Sequence, residues 1–242
     1  MNATKTIGLL HCYHVAEKFR PQFGDYLDLF SRLMRPAEHG FLFRSYDVHG
    51  GVFPADAGEC FGYLISGSPW SVYDSDPSIA RLMDFIRECY ARKIQQVGIC
   101  FGHQALAHAL GGRAERSPKG WGLGVYAFAV KQSMPWMAPP AAELSLLYSH
   151  QDQVVALPPK AVNLGGDAFC ANRMFVIDNL VLGLQGHPEF TLDYFTTTKE
   201  TQIEAFPPDF RKRIRDSLNT PMNAGIAGQW MVRFFNAAEI IP

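Results

Sequence analysis

The chain lacks most of the features that betray a partner or a compartment at first reading. Basic and acidic residues nearly cancel, 22 against 23, for a formal net charge of −1. Without a basic excess there is no electrostatic case for binding nucleic acid or an anionic membrane. Cysteine is scarce: the five residues Cys12, Cys60, Cys89, Cys100 and Cys170 are odd in number, widely spaced and without a Cys-x-x-Cys pair. That excludes a disulfide framework and a zinc site as first readings. No long hydrophobic run occurs. The apolar stretch after Thr6 breaks at His11 and Cys12, too short for the core of a signal peptide or a membrane span, so the cytoplasm is the expected compartment. There is no Gly-rich phosphate loop, repeat or low-complexity linker, and no cofactor is expected. What remains is a chain of 242 residues with ample material for one α/β domain spanning 1–242.

The order of apolar patterns gives the architecture. Thr6–His11, Phe41–Tyr46 and Phe61–Ser66 read as strands, Phe23–Met34 as an amphipathic helix, and Asp76-Pro77 as the start of a helix through Tyr90. Strands alternating with helices predict a doubly wound, mostly parallel open sheet with helices on both faces, which binds ligands beyond the carboxyl ends of its strands. After Gly111-Gly112 the texture changes. Short β-like runs at Val125–Val130, Leu144–Tyr148 and Val162–Gly165 predict antiparallel additions to that sheet, and Met174–Asp178 with Leu180–Leu184 predict a hairpin. Helical patterns follow at Leu192–Ala205, Phe210–Leu218 and Gly225–Phe235. His11 and His14 lie three apart on a loop without a further clustered ligand and read as ordinary loop residues, so no metal is expected.

The chemistry concentrates between Ile94 and Gln104, where an apolar strand runs through Gly98-Ile99-Cys100-Phe101-Gly102 into a helix. Small residues two before and two after a side chain leave room for the sharp corner that thrusts it out, as in the Gly-x-Ser-x-Gly elbow. Cys100 is thus the candidate nucleophile, placed beside the positive end of a helix, where a thiolate is favoured. The Phe101 amide is placed to meet an oxyanion formed on attack. A second cluster, Gln185-Gly186-His187-Pro188-Glu189, follows the run Asn179–Leu184. In an extended segment residues two apart project to one side, so Glu189 reaches the His187 ring. Cysteine, histidine and carboxylate together supply nucleophile, base and orienter.

Gly98-Ile99-Cys100-Phe101-Gly102-His103-Gln104 together with Gly186-His187-Pro188-Glu189 resembles the class I, triad-type glutamine amidotransferases. The resemblance covers roughly residues 5–190 and implies a flavodoxin-like catalytic core there, with 191–242 as a C-terminal helical extension. It implies further roles. Leu64–Pro69 is similar to the turn in which a glycine amide, here Gly67, gives a second oxyanion donor, although Ser68 replaces a glycine often found beside it. Ser149-His150-Gln151-Asp152-Gln153-Val154 is similar to the loop that closes on the substrate's amino-acid end in the amidotransferase domain of GMP synthase. Ser149, His150 and Gln151 are therefore expected at the substrate, and Gln104 beside the glutamyl group. Trp121, in the loop Lys119–Gly122, either flanks the substrate or covers the sheet edge.

The expected reaction is attack of Cys100 on a γ-glutamyl carbonyl, giving a thioester that water resolves. Free glutamine, with ammonia passed to a separate synthetase subunit, and a γ-glutamyl peptide or amide hydrolysed alone are the two substrate readings. The missing synthetase signature and the extra helices favour the second. A non-catalytic module of the same fold, or a redox-sensing elbow cysteine, ranks below both because neither needs the His-Pro-Glu segment.

Overall fold

The computed structural model describes residues 5–35 and 40–237. In chain order the elements are β1 (Thr6–Leu10), the short helix α1 (Arg20–Phe23), α2 (Tyr26–Met34), β2 (Leu42–Tyr46), β3 (Gly62–Ile65), α3 (Pro77–Ala91), β4 (Gln95–Ile99) and α4 (Phe101–Ala109). Seven further strands come before the last helices: β5 (Arg113–Arg116), β6 (Gly122–Ala129), β7 (Glu143–His150), β8 (Asp152–Ala156), β9 (Val162–Gly165), β10 (Met174–Ile177) and β11 (Val181–Leu184). The chain then forms α5 (Leu192–Glu204), α6 (Pro208–Ser217) and α7 (Ala224–Asn236).

Seven strands form the main sheet in the order β2-β1-β3-β4-β11-β10-β9. The first five are mutually parallel, and β10 runs antiparallel to both its neighbours. The central strands β3, β4 and β11 are buried along their whole length, as strands covered on both faces must be. One face packs through Ile7, Leu9, Leu64, Val97 and Leu182 against Phe30 of α2 and Trp230, Met231 and Phe234 of α7. The other packs through Leu10, Tyr63, Ile65 and Phe175 against Leu82 and Ile86 of α3 and Leu106 of α4. Two adjacent glutamines at the start of β4 point to opposite faces and tie each layer down. The amide of Gln95 donates to the Phe234 carbonyl at 2.7 Å, and that of Gln96 to the Ile86 carbonyl at 3.2 Å.

Three expectations are corrected. The helix expected over 23–34 is broken at Gly24, which adopts φ +77°, a conformation open to glycine, so the chain restarts with Asp25 capping α2. Of the three β-like runs expected to extend the sheet, only Val162–Gly165 does so; β6 and β7 pair with each other in a separate ribbon. The stretch expected as a closing loop, 149–154, is the junction of β7 with β8, and β8 pairs with β5, whose charged sequence RAER carries no apolar alternation. Within the C-terminal helices, α7 supplies one wall of the core, and a methyl at Gly228 would come 2.8 Å from the Leu33 carbonyl of α2.

Candidate active site

The elbow is built by close backbone approach. A methyl added at Gly98 would lie 2.4 Å from the Gly102 carbonyl, and one at Gly102 would lie 2.4 Å from the Ile65 carbonyl of β3. Only glycine fits either place. Between them Cys100 takes φ 54°, ψ −102°, a conformation costly for a side-chain-bearing residue, and it directly precedes α4. The Cys100 amide donates to the Leu184 carbonyl at 2.9 Å, so β11 anchors the corner. Phe101 is the first residue of α4, where the amide has no acceptor within the helix.

His187 arrives at the same corner from the end of β11. Its amide donates to the Leu147 carbonyl at 2.8 Å, bridging it to β7, and its Nδ1 lies 2.7 Å from Glu189 Oε1. The backbone does not run extended through Glu189 as the two-residue spacing suggested. Pro188 and Glu189 form a turn, because proline fixes the φ needed at a turn's first corner. The carboxylate still meets the ring. Phe190 then stacks on the imidazole, ring centroids 4.0 Å apart and planes 4° from parallel. Burial alone would lower the His187 pKa, but the charges of Glu189 and Cys100, and hydrogen bonds to both, outweigh it and push it up to about 9. A charged imidazolium beside the sulfur is thereby favoured.

Gln185 was not assigned a role from sequence, yet its amide donates to Cys100 Sγ at 3.6 Å while its oxygen accepts from Gln104 at 3.2 Å. Its place directly after β11, at the carboxyl end of a central strand, was the available signal. Gln104 also donates to the Asp152 carbonyl at 2.8 Å, so it braces β8 as well as facing the cleft. Gly67 lies against both reacting groups: a methyl there would be 2.8 Å from His187 Cε1 and 3.6 Å from Cys100 Cβ.

Two lobes of the cleft share Cys100, Ser149 and Trp121 in their walls. The first, of about 320 Å³, is lined by Gln104, Arg116, Ser149, His150, Gln151 and Asp152. The second, of about 180 Å³, is lined by His187 together with Tyr13, Tyr26, Phe190, Lys199 and Gln202. Trp121 lines both and sits edge-on to Phe206, so it stands in the cleft wall. His150 is buried; burial pulls its pKa down to about 3, the Arg173 and His187 charges add to this, and its Nδ1 donates to the Asp152 carbonyl at 2.9 Å. It is therefore a neutral ring. Arg116, Lys199 and Gln202 line the cleft although no local motif announced them.

The remaining cysteines are buried away from the cleft. Burial drives the thiols of Cys12, Cys89 and Cys170 up, to about 12 for Cys89 and about 11 for Cys170, which makes them poor nucleophiles. His11, His14 and Asp25 bring donor atoms within 4.8 Å of one another. His14 nevertheless spends both ring nitrogens on carboxylates, Nδ1 on Asp25 at 2.7 Å and Nε2 on Asp47 at 3.0 Å. A ring flanked by two acceptors is an imidazolium with no lone pair for an ion, and its pKa is raised because these bonds and charges exceed the cost of burial. The cluster fixes the loop that carries Tyr13 to the second lobe. Among the described residues no helix is long and apolar enough to cross a membrane.

A cysteine on a strained strand-to-helix corner, beside a histidine held by glutamate at the carboxyl ends of a doubly wound sheet, defines the class of nucleophile-elbow α/β enzymes. The family model for glutamine amidotransferase class-I matches residues 52–201. Gamma-glutamyl peptidase 3 of Arabidopsis thaliana is 26% identical over 231 residues, covering 91% of this chain and 92% of that protein. Gamma-glutamyl peptidase 4 of the same plant is 31% identical over 185 residues, 74% of this chain and 73% of that one. A crystal structure of a glutamine amidotransferase from Thermotoga maritima superposes with a TM-score of 0.75 at 20% identity, covering 97% of this chain and 99% of that one. The chain belongs to the class I glutamine amidotransferase family and is a hydrolase-type enzyme.

Proposed function

We propose that this protein hydrolyses a γ-glutamyl amide bond by forming a γ-glutamyl thioester on Cys100. The observation that carries the reading is the juxtaposition of a strained Cys100 with His187, whose Nδ1 is held 2.7 Å from Glu189. The thiolate attacks the γ-carbonyl, and the oxyanion is received by the amides of Phe101 and Gly67. The C–N bond breaks as His187 gives its proton to the departing nitrogen. Water, deprotonated by the now neutral ring, then adds to the thioester, and the thiolate leaves as glutamate forms. Glu189 holds the tautomer and offsets the ring's charge.

Because His187 borders only the second lobe, the leaving nitrogen departs there and the glutamyl part fills the first. That lobe presents Arg116 and Asp152 along with Ser149, His150 and Gln151, a pairing of opposite charges suited to an amino acid's carboxylate and ammonium ends. The similarity to gamma-glutamyl peptidases supports a γ-glutamyl peptide or amide over glutamine alone. The test compares ammonia release from glutamine with amine release from γ-glutamyl dipeptides, with trapping of the acyl-enzyme by mass spectrometry. Turnover that survives Cys100→Ala would sink the reading. Turnover confined to glutamine would favour delivery of ammonia to a synthetase partner instead.

A further inference from the structure

The second lobe is larger than an ammonia leaving group requires. A water-sized group such as ammonia needs about 10–15 Å³ of cavity volume, whereas this lobe holds about 180 Å³. Its walls are aromatic, from Tyr13, Trp121 and Phe190. Apart from the reacting pair Cys100 and His187, the ionic group lining it is Lys199, and no carboxylate does so.

Lys199 is partly buried on α5 and has no ion pair among the described residues. Burial pulls its ammonium below the ordinary lysine range, and Cys100 is the one group that opposes this. An ammonium withdrawn from water without a carboxylate is costly unless a ligand supplies the missing charge. Its position is also fixed relative to the chemistry. Phe190 stacks on His187, Thr191 caps α5 by accepting the Tyr194 amide at 3.1 Å, and the buried face of α5 carries Phe195 and Ile203. Lys199 and Gln202, three residues apart, share the face turned to the lobe.

The geometry points to Lys199 as a specificity residue that binds a carboxylate on the leaving side of the scissile bond, selecting γ-glutamyl amino acids or peptides over amides with a neutral leaving group. This inference rests on the proposed γ-glutamyl hydrolysis and adds to it the chemical class of the departing amine. Ammonia leaves as a neutral molecule and offers Lys199 no charge to bind, while an amino-acid carboxylate gains a charge-assisted hydrogen bond from Lys199, with the Gln202 amide three residues on along the same face.

The experiment measures kcat/KM for γ-glutamylglycine, its C-terminal carboxamide and glutamine, with wild type, Lys199→Met and Lys199→Arg. A hydrogen bond between charged groups predicts that wild type prefers the free carboxylate over the carboxamide by about ten- to a hundredfold. In Lys199→Met that ratio collapses towards one, and Lys199→Arg keeps most of it. A purely structural role for Lys199 would lower both rates together and leave the ratio untouched, which would overturn the assignment, as would a wild-type ratio of one or less. Turnover of glutamine alone also overturns it while leaving the thiol amidase standing. Turnover of none of the three compounds would remove the function on which it rests.

Discussion

Replacing Glu189 by glutamine keeps the shape of a fully buried side chain and removes its charge. The His187 pKa rises from the ordinary 6.5 to about 9 against the pull of burial, which corresponds to about 3 kcal/mol in favour of the charged ring. That stabilisation is divided between Glu189 and Cys100, so losing the carboxylate forfeits a large part of it. The amide can hold the ring in place, but it stabilises the imidazolium poorly and admits the wrong tautomer. Formation of the thioester is expected to slow on the order of ten- to a few hundredfold, less than for His187→Ala, which removes the proton donor itself. The pH profile gives a second readout. The reacting form needs a protonated His187, so kcat/KM of wild type falls as pH rises through about 9, and without the Glu189 charge this alkaline limb moves to lower pH. Single-turnover kinetics with enzyme in excess, on variants shown folded by circular dichroism, measure both effects. An acylation rate equal to wild type with an unmoved alkaline limb would refute the reasoning and remove Glu189 from the site.

Cys100→Ala is expected to abolish turnover, whereas Cys12, Cys60, Cys89 and Cys170 changed singly to Ala cost stability at most; a thiol-labelling assay against substrate turnover separates the two outcomes. Gly98→Ala sets a methyl 2.4 Å from the Gly102 backbone, so backbone must shift at a cost of about 1–3 kcal/mol, visible as a lower Tm and as lost activity from a displaced Cys100. His14→Ala tests the ion cluster through its pH dependence. A raised histidine pKa contributes stability in full below the unfolded value near 6.5 and loses it as pH rises through the folded one. The stability gap between wild type and variant, measured by urea denaturation, should therefore narrow on going from pH 6 towards alkaline conditions, and a gap that widens would contradict the imidazolium reading.

The parts of this architecture that were legible in the sequence are those written in local chemistry. Gly98 and Gly102 announced the corner because only glycine tolerates a carbonyl at 2.4 Å from where Cβ would be, and the buried runs of β1, β3, β4 and β11 read as strands because both faces are covered. His187 and Glu189 were legible as a pair, although the turn at Pro188 replaced the extended path inferred from their spacing. What could not be read depends on long-range pairing. The charged strand β5 owes its existence to β8 rather than to its own pattern, and Gln185 reaches Cys100 Sγ across the β4–β11 junction. Lys199 was not singled out from sequence, since nothing near it in the chain tells that α5 follows directly on the ring stack of Phe190 and His187.

The position of β11 sets the order in which this protein comes to life during synthesis. It lies in the interior of the sheet, between β4 and β10, yet Gln185 at its end is 85 residues beyond Cys100. At a ribosomal pace of about 5–20 residues per second, roughly 4 to 17 s separate the appearance of the thiol from that of its partners. During that interval β4 presents an unpaired edge and its cysteine lacks both the histidine and the amide that bear on it, so the nascent chain carries a sulfhydryl without a machine around it. The docking of β11 closes that edge and brings Gln185 to the Cys100 sulfur in the same event.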